Sequence, residues 1–164
     1  MKKAVFLLAL LIAPFAQATD YVLPIIECDG SANVRAKPTT KSTILSTLDY
    51  QSSAHKVLGK QGNWYHIDLP NQKSGYVHKS QVMIMHYYVV DSKDGSANVR
   101  DGHFPYSESI GKTNVLKVLT NGTRVQIIPE LNKGDWFFYS QQGLANKDEK
   151  SEGYIHKSQL KKVD

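Results

Sequence analysis

The residues of this chain able to do covalent or metal chemistry are few: one cysteine and six histidines. A thiol becomes a nucleophile when a neighbouring base takes its proton and a third group orients that base. Cys28 has no such setting in the sequence. It ends an apolar run, and the equivalent place in a second, repeated segment holds Lys93. A lone cysteine closes no internal disulfide, so the cores alone must hold the fold. The candidate metal ligands are His66, His78, His103 and His156. No two of them have the spacing that sets two ligands on one helix face or across one hairpin. His78 and His156 recur at the same place in a repeated phrase, which points to a role within each copy rather than to one shared ion. The sequence therefore predicts no catalytic residues, no metal site and no cofactor.

The elements that position these residues come from a duplication. Asp29-Gly30-Ser31-Ala32-Asn33-Val34-Arg35 returns unchanged as Asp94-Gly95-Ser96-Ala97-Asn98-Val99-Arg100. Gly75-Tyr76-Val77-His78-Lys79-Ser80-Gln81 returns as Gly153-Tyr154-Ile155-His156-Lys157-Ser158-Gln159. Two phrases doubled in the same order mean two copies of one structural unit. In the first copy, short β-type runs cover Tyr21 to Cys28, Ala32 to Arg35, Ile44 to Leu48, Ala54 to Lys60, Trp64 to Leu69 and Gly75 to His78. Turn residues separate them, as at Gln61-Gly62-Asn63. In the Trp64 run, Trp64 shares a face with His66 and Asp68, and Tyr65 shares the other with Ile67 and Leu69. The alternation leaves open which face is core. Met83 to Asp91 is also strand-like and joins the copies without a Gly/Ser tether, so the two units are expected to pack in a fixed relation.

The second copy is longer. Arg35 to Trp64 is 29 positions and Arg100 to Trp136 is 36, which adds seven residues around Asp101 to Asn114. Trp64 to Gly75 is 11 positions and Trp136 to Gly153 is 17, which adds six around Gln141 to Glu152. No segment carries a long helical period. Frequent turns between short strands indicate small β barrels or sandwiches. Units of about 65 residues have thin cores, so docking one on the other would stabilise both.

The first 18 residues read as an export leader: Met1-Lys2-Lys3, an apolar run from Ala4 to Ala13, then Ala16-Gln17-Ala18 as a small-x-small cleavage site. The run is about half the roughly 20 residues a spanning helix needs, so no transmembrane segment is expected after cleavage. Losing Lys2 and Lys3 with the leader lowers the formal charge from +5 to +3 and leaves 146 residues. The remaining basic residues are scattered among acids, as in Lys147-Asp148-Glu149-Lys150, so nucleic acid is excluded as a partner. The expected location is the periplasm or outside the cell.

The order Ala-Asn-Val-Arg, a proline with serines, a Leu turn, Gly-Asn-Trp and Gly-Tyr-Val-His-Lys-Ser resembles the bacterial SH3-like (SH3b) domain. Ala32 and Ala97 stand where that family usually has Leu, and Tyr76 and Tyr154 where it usually has Trp. The resemblance implies an all-β chain of two tandem SH3-like barrels, with a signal peptide at 1–18, a first domain at 19–85 and a second, carrying both insertions, at 86–164. It also implies a binding module for a cell-wall or peptide ligand. Asn33, Arg35, Asn98 and Arg100 are then structural: the Asn pair bonding backbone in turns, the Arg pair meeting a carboxylate or carbonyl. Trp64, Trp136, Tyr76 and Tyr154 either pack across each barrel or line an outer groove for an extended peptide. His103, Phe104 and Tyr106, three rings in a turn-rich insertion, form a candidate contact loop. The leading expectation is an exported, non-catalytic binder of peptidoglycan peptide or another envelope component. The alternative is an immunity-type inhibitor of a periplasmic toxin or cell-wall hydrolase.

Overall fold

A computed structural model describes residues 19–25, 31–49, 53–102, 110–141 and 152–163. The proposed leader, Cys28, the contact-loop residues His103, Phe104 and Tyr106, and most of the second insertion lie outside the described residues. The protein is all-β. Its strands are β1 (Tyr21–Pro24), β2 (Ser31–Arg35), β3 (Ile44–Asp49), β4 (His55–Gln61), β5 (Trp64–Leu69), β6 (Lys73–His78), β7 (Val82–Val90), β8 (Ser96–Arg100), β9 (Val115–Thr120), β10 (Arg124–Ile127), β11 (Trp136–Ser140), β12 (Glu152–His156) and β13 (Leu160–Lys162). Single 3-10 turns at Lys79–Gln81 and Lys157–Gln159 follow β6 and β12, and a third at Pro129–Leu131 follows β10.

The duplicated phrases build duplicated ladders. Arg35 pairs with Tyr76 between β2 and β6, and Arg100 pairs with Tyr154 between β8 and β12. Trp64 opposes His78 and His66 opposes Tyr76 between β5 and β6; Trp136 opposes His156 and Phe138 opposes Tyr154 between β11 and β12. The β2–β3 register shifts between Val34 and Arg35, and the β8–β9 register between Val99 and Arg100. Such an irregularity re-aims the next side chain, here the repeated arginine. The repeated glycines are there for close approach. A Cβ on Gly75 would lie 2.5 Å from Val34 Cγ1, and one on Gly153 would lie 2.6 Å from Val99 Cγ1 and 2.7 Å from the Arg100 carbonyl oxygen.

Alternation is resolved by burial. Ala32, Val34, Ile67 and Val77 are fully buried with Val22, Leu48 and Val82, and Tyr65 and Leu69 pack on that cluster. The core face of β5 is therefore the Tyr65–Ile67–Leu69 face. Trp64 and Trp136 lie on the opposite side and do not pack across a barrel interior. The second copy repeats the cluster with Ala97, Val99, Leu119, Val125, Ile127, Tyr139, Ile155 and Val90. A third cluster, Leu23, Met85 and Ile128 with Tyr87, Leu131 and Phe138 against it, fills the joint between the copies. Full burial of a Met or Ile side chain contributes about 1.5–3 kcal/mol, comparable with the stability a thin unit has by itself.

The strands form one hydrogen-bonded path, β3-β2-β6-β5-β4-β1-β7-β10-β11-β12-β8-β9, with β13 alongside β7. It is open, with β3 and β9 at its ends. At its centre β7 serves both halves. Val82 to Met85 pair with β1, His86 to Val89 pair with β10, and Tyr88 to Val90 pair with β13. The position 85/86, expected to divide two domains, falls inside this strand. The joint is latched by side chains as well. The Glu130 carboxylate accepts the Ile84 N–H at 3.1 Å, and the Asp20 carboxylate accepts from Lys60 Nζ and His86 Nε2, both at 2.8 Å. Among the described residues, no helix is long and apolar enough to cross a membrane.

Candidate functional site

Each copy carries the same outer corner. Where β6 ends, the His78 ring nitrogen Nδ1 accepts the Ser80 backbone N–H at 3.3 Å and sits 2.8 Å from its hydroxyl. In the second copy His156 Nδ1 does the same with Ser158, at 3.4 and 2.8 Å. A backbone N–H only donates, so Nδ1 is the acceptor and the ring proton of each neutral histidine is on Nε2. The tryptophan of the facing strand meets this ring edge to face, Trp64–His78 at 5.0 Å and Trp136–His156 at 5.1 Å. The preceding hairpins lock the corners. The Lys79 N–H donates to the Asn63 carbonyl at 2.9 Å, and the Lys157 N–H to the Asp135 carbonyl at 2.8 Å.

The arginines brace these corners. Arg35 Nη1 donates to the Ser42 carbonyl and Arg100 Nη1 to the Thr113 carbonyl, each at 2.7 Å. Each holds down the connection to the next strand and uses one nitrogen to do so. The asparagines are not turn residues. Asn33 and Asn98 lie in mid-strand, half-buried; in the second copy the turn comes earlier and is closed by Gly95 N–H to the Ser92 carbonyl at 3.1 Å. Asn33 Oδ1 accepts from the Thr47 hydroxyl at 3.4 Å.

In the second copy these groups surround a cleft of about 520 Å³. Asn98 and Arg100 enter it from β8, Trp136 from β11 and His156 from β12. Ser158 and Gln159 of the 3-10 turn and Ser92, Lys93 and Asp94 of the turn before β8 complete it. The latter turn is held rigidly. Asn121 accepts the Ser92 N–H at 2.9 Å and donates back to its carbonyl at 2.8 Å. Both repeated phrases thus converge on one wall-to-wall site. Of this lining, sequence reasoning offered only Trp136 as a binding residue; it read Asn98 and Arg100 as structural, weighed His156 only as a metal ligand, and did not single out Lys93, Asp94, Ser158 or Gln159. The signal for most of them was present, since all but Lys93 belong to the repeated phrases.

The other expected site residues fall elsewhere. Tyr76 is half-buried and stacks on His66 at 4.7 Å with planes 19° apart. Tyr154 is only 6% exposed. Its ring meets Phe138 at 5.4 Å, its hydroxyl donates to the Leu131 carbonyl at 3.2 Å, and Lys133 Nζ stands 5.0 Å over it. Burial pushes its phenol pKa up. It does not line an open groove. Among the described residues, no group of three or more His, Cys, Asp or Glu side chains is placed to hold a metal ion.

The fold and this corner define an all-β protein built on one open sheet. Residues 30–82, within the first copy, match the model of the bacterial SH3 domain family. Solved structures similar to the whole chain include NlpC1 from Trichomonas vaginalis, at 11% identity and a TM-score of 0.38 over 94% of this chain and 50% of that one. Another is NlpC2 from the same organism, at 12% identity and a TM-score of 0.39 over 88% of this chain and 48% of that one. The chain spans about half the length of each. No curated protein matches it in sequence.

Proposed function

We propose that the protein is an exported, non-catalytic binding module of two SH3-like barrels in tandem, which holds a peptidoglycan peptide or another cell-envelope component in the cleft of its second copy. The observation that carries this reading is the convergence of both repeated phrases on that cleft, around a half-buried indole. A flat ring beside unspent polar groups suits an extended peptide, which stacks at low entropic cost while its amides find partners. The leader-like first 18 residues and the bacterial SH3 match support an envelope location, in the periplasm or outside the cell. The test is sedimentation of mature protein with murein sacculi, alongside Trp136 fluorescence in a Trp64→Phe background. Co-sedimentation, a fluorescence response to soluble muropeptides, and loss of both in Trp136→Ala are expected. Protein that stays in the supernatant and shows no response to muropeptides would overturn the proposal.

A further inference from the structure

We infer, resting on the cleft as the binding site, that what it grips is a free carboxylate of a short peptide. Among the charged groups of the cleft, donors outnumber acceptors, with Lys93 and Arg100 against Asp94. Arg100 spends one nitrogen on Thr113 and keeps its other N–H groups. His156 presents Nε2–H, because Ser158 occupies Nδ1. Among the described residues, the Lys93 ammonium, the Trp136 indole N–H and the Asn98 amide have no hydrogen-bond partner. Against these stands one carboxylate, Asp94, which has room to accept a peptide N–H. Two cations and a neutral imidazole N–H around one ring platform match an anionic, planar, acceptor-only group, and a guanidinium is the side chain that pairs with it most strongly. A neutral glycan would leave both cations unpaired, and a cationic segment would be repelled by them. The first copy lacks part of this set. Cys28 stands at the place of Lys93. The carboxylate site therefore belongs to the second copy.

The experiment titrates full-length mature Trp64→Phe protein with the synthetic tripeptide L-Ala-γ-D-Glu-L-Lys as free acid and with both carboxyls amidated, reading Trp136 fluorescence. Amidation is expected to weaken binding at least tenfold. Lys93→Gln should weaken the free acid several-fold and steepen nothing for the amide. Lys93 is exposed, so this variant should keep the urea midpoint of the parent, which avoids the structural role of Arg100. Equal binding of acid and amide, or an unchanged affinity in Lys93→Gln, overturns the carboxylate and leaves the cleft reading standing. No response to either peptide, with sedimentation intact, also overturns the carboxylate alone. No response and no sedimentation overturn both.

Discussion

The two copies share strand pairing almost residue for residue, yet they use their outer faces differently. In the first, the ladder Trp64–His78 and His66–Tyr76 is half-buried along its length. In the second, Trp136–His156 is half-buried too, beside the cleft, but Tyr154, against a half-buried Phe138, is buried. The cover comes from residues the first copy lacks. Pro129 cannot continue β10, and the 3-10 turn it opens brings Leu131 to the Tyr154 hydroxyl. Gly102, at the start of the first insertion, lies close against the Tyr154 ring, and Lys133 Nζ donates to its carbonyl at 2.9 Å. A repeated side chain is thus an outer ring in one copy and a core ring in the other. A duplicated motif specifies pairing, and its neighbours decide exposure.

The sharpest way to break this comparison is to truncate the paired tyrosines. Tyr154→Ala should cost about 3 kcal/mol, the range for emptying a buried aromatic site. Tyr76→Ala should cost about 1 kcal/mol, the centre of the range for point substitutions. Urea unfolding of both variants would show whether the asymmetry is real, and equal losses would contradict it. Next in size is Gly102→Ala. Its Cβ would stand 1.9 Å from a Tyr154 ring carbon, and overpacking of this kind costs typically 1–3 kcal/mol. The corresponding residue after β2 is Lys37, exposed, where Lys37→Ala should leave the midpoint unchanged.

A smaller effect concerns acid. Burial raises the Asp20 pKa, but hydrogen bonds and charge from Lys60 and His86 outweigh it and hold the carboxyl below its usual value. A carboxylate depressed in the folded state stabilises at pH above its unfolded pKa, and that contribution is lost as pH falls through the folded value. Asp20→Asn should flatten the acid side of a stability–pH curve below about pH 4 and leave a weaker protein at neutral pH. The least effect is expected from Asp135→Asn. Its ion pair with Lys157, at 2.8 Å, is exposed on both sides, and exposed pairs contribute little. The first copy already carries Asn63 there. Thermal midpoints of the two proteins should coincide.

Much of the fold was legible because the doubled phrases mark doubled strands; the runs expected from Ile44 and Trp64 start there, and the one expected from Ala54 starts at His55. The face of Trp64 was not legible, since Tyr65, Ile67 and Leu69 made an equally good core face and only packing chose between them. The fate of Tyr154 was hidden for another reason. Leu131 and Gly102, which cover it, are 23 and 52 positions away in the chain. The cleft was half visible: Trp136, Asn98 and Arg100 stood out by type or repetition. Lys93 is unremarkable in sequence and matters only because the turn before β8 brings it beside the repeated residues. The strand character of β7 was plain, but its double pairing depends on partners from both ends of the chain.

That double pairing also brings the first and last strands together. Tyr21, the first strand residue, lies opposite Met85, and Lys162, the last, lies opposite Tyr88. The Val163 N–H donates to the Tyr87 carbonyl at 3.1 Å. The first and last strands therefore meet β7 three residues apart. A circular permutant that joins them through a short linker and opens at Gly62 or Gly134 should keep the fold, whereas a cut between residues 85 and 86 would leave each half with half of its shared strand.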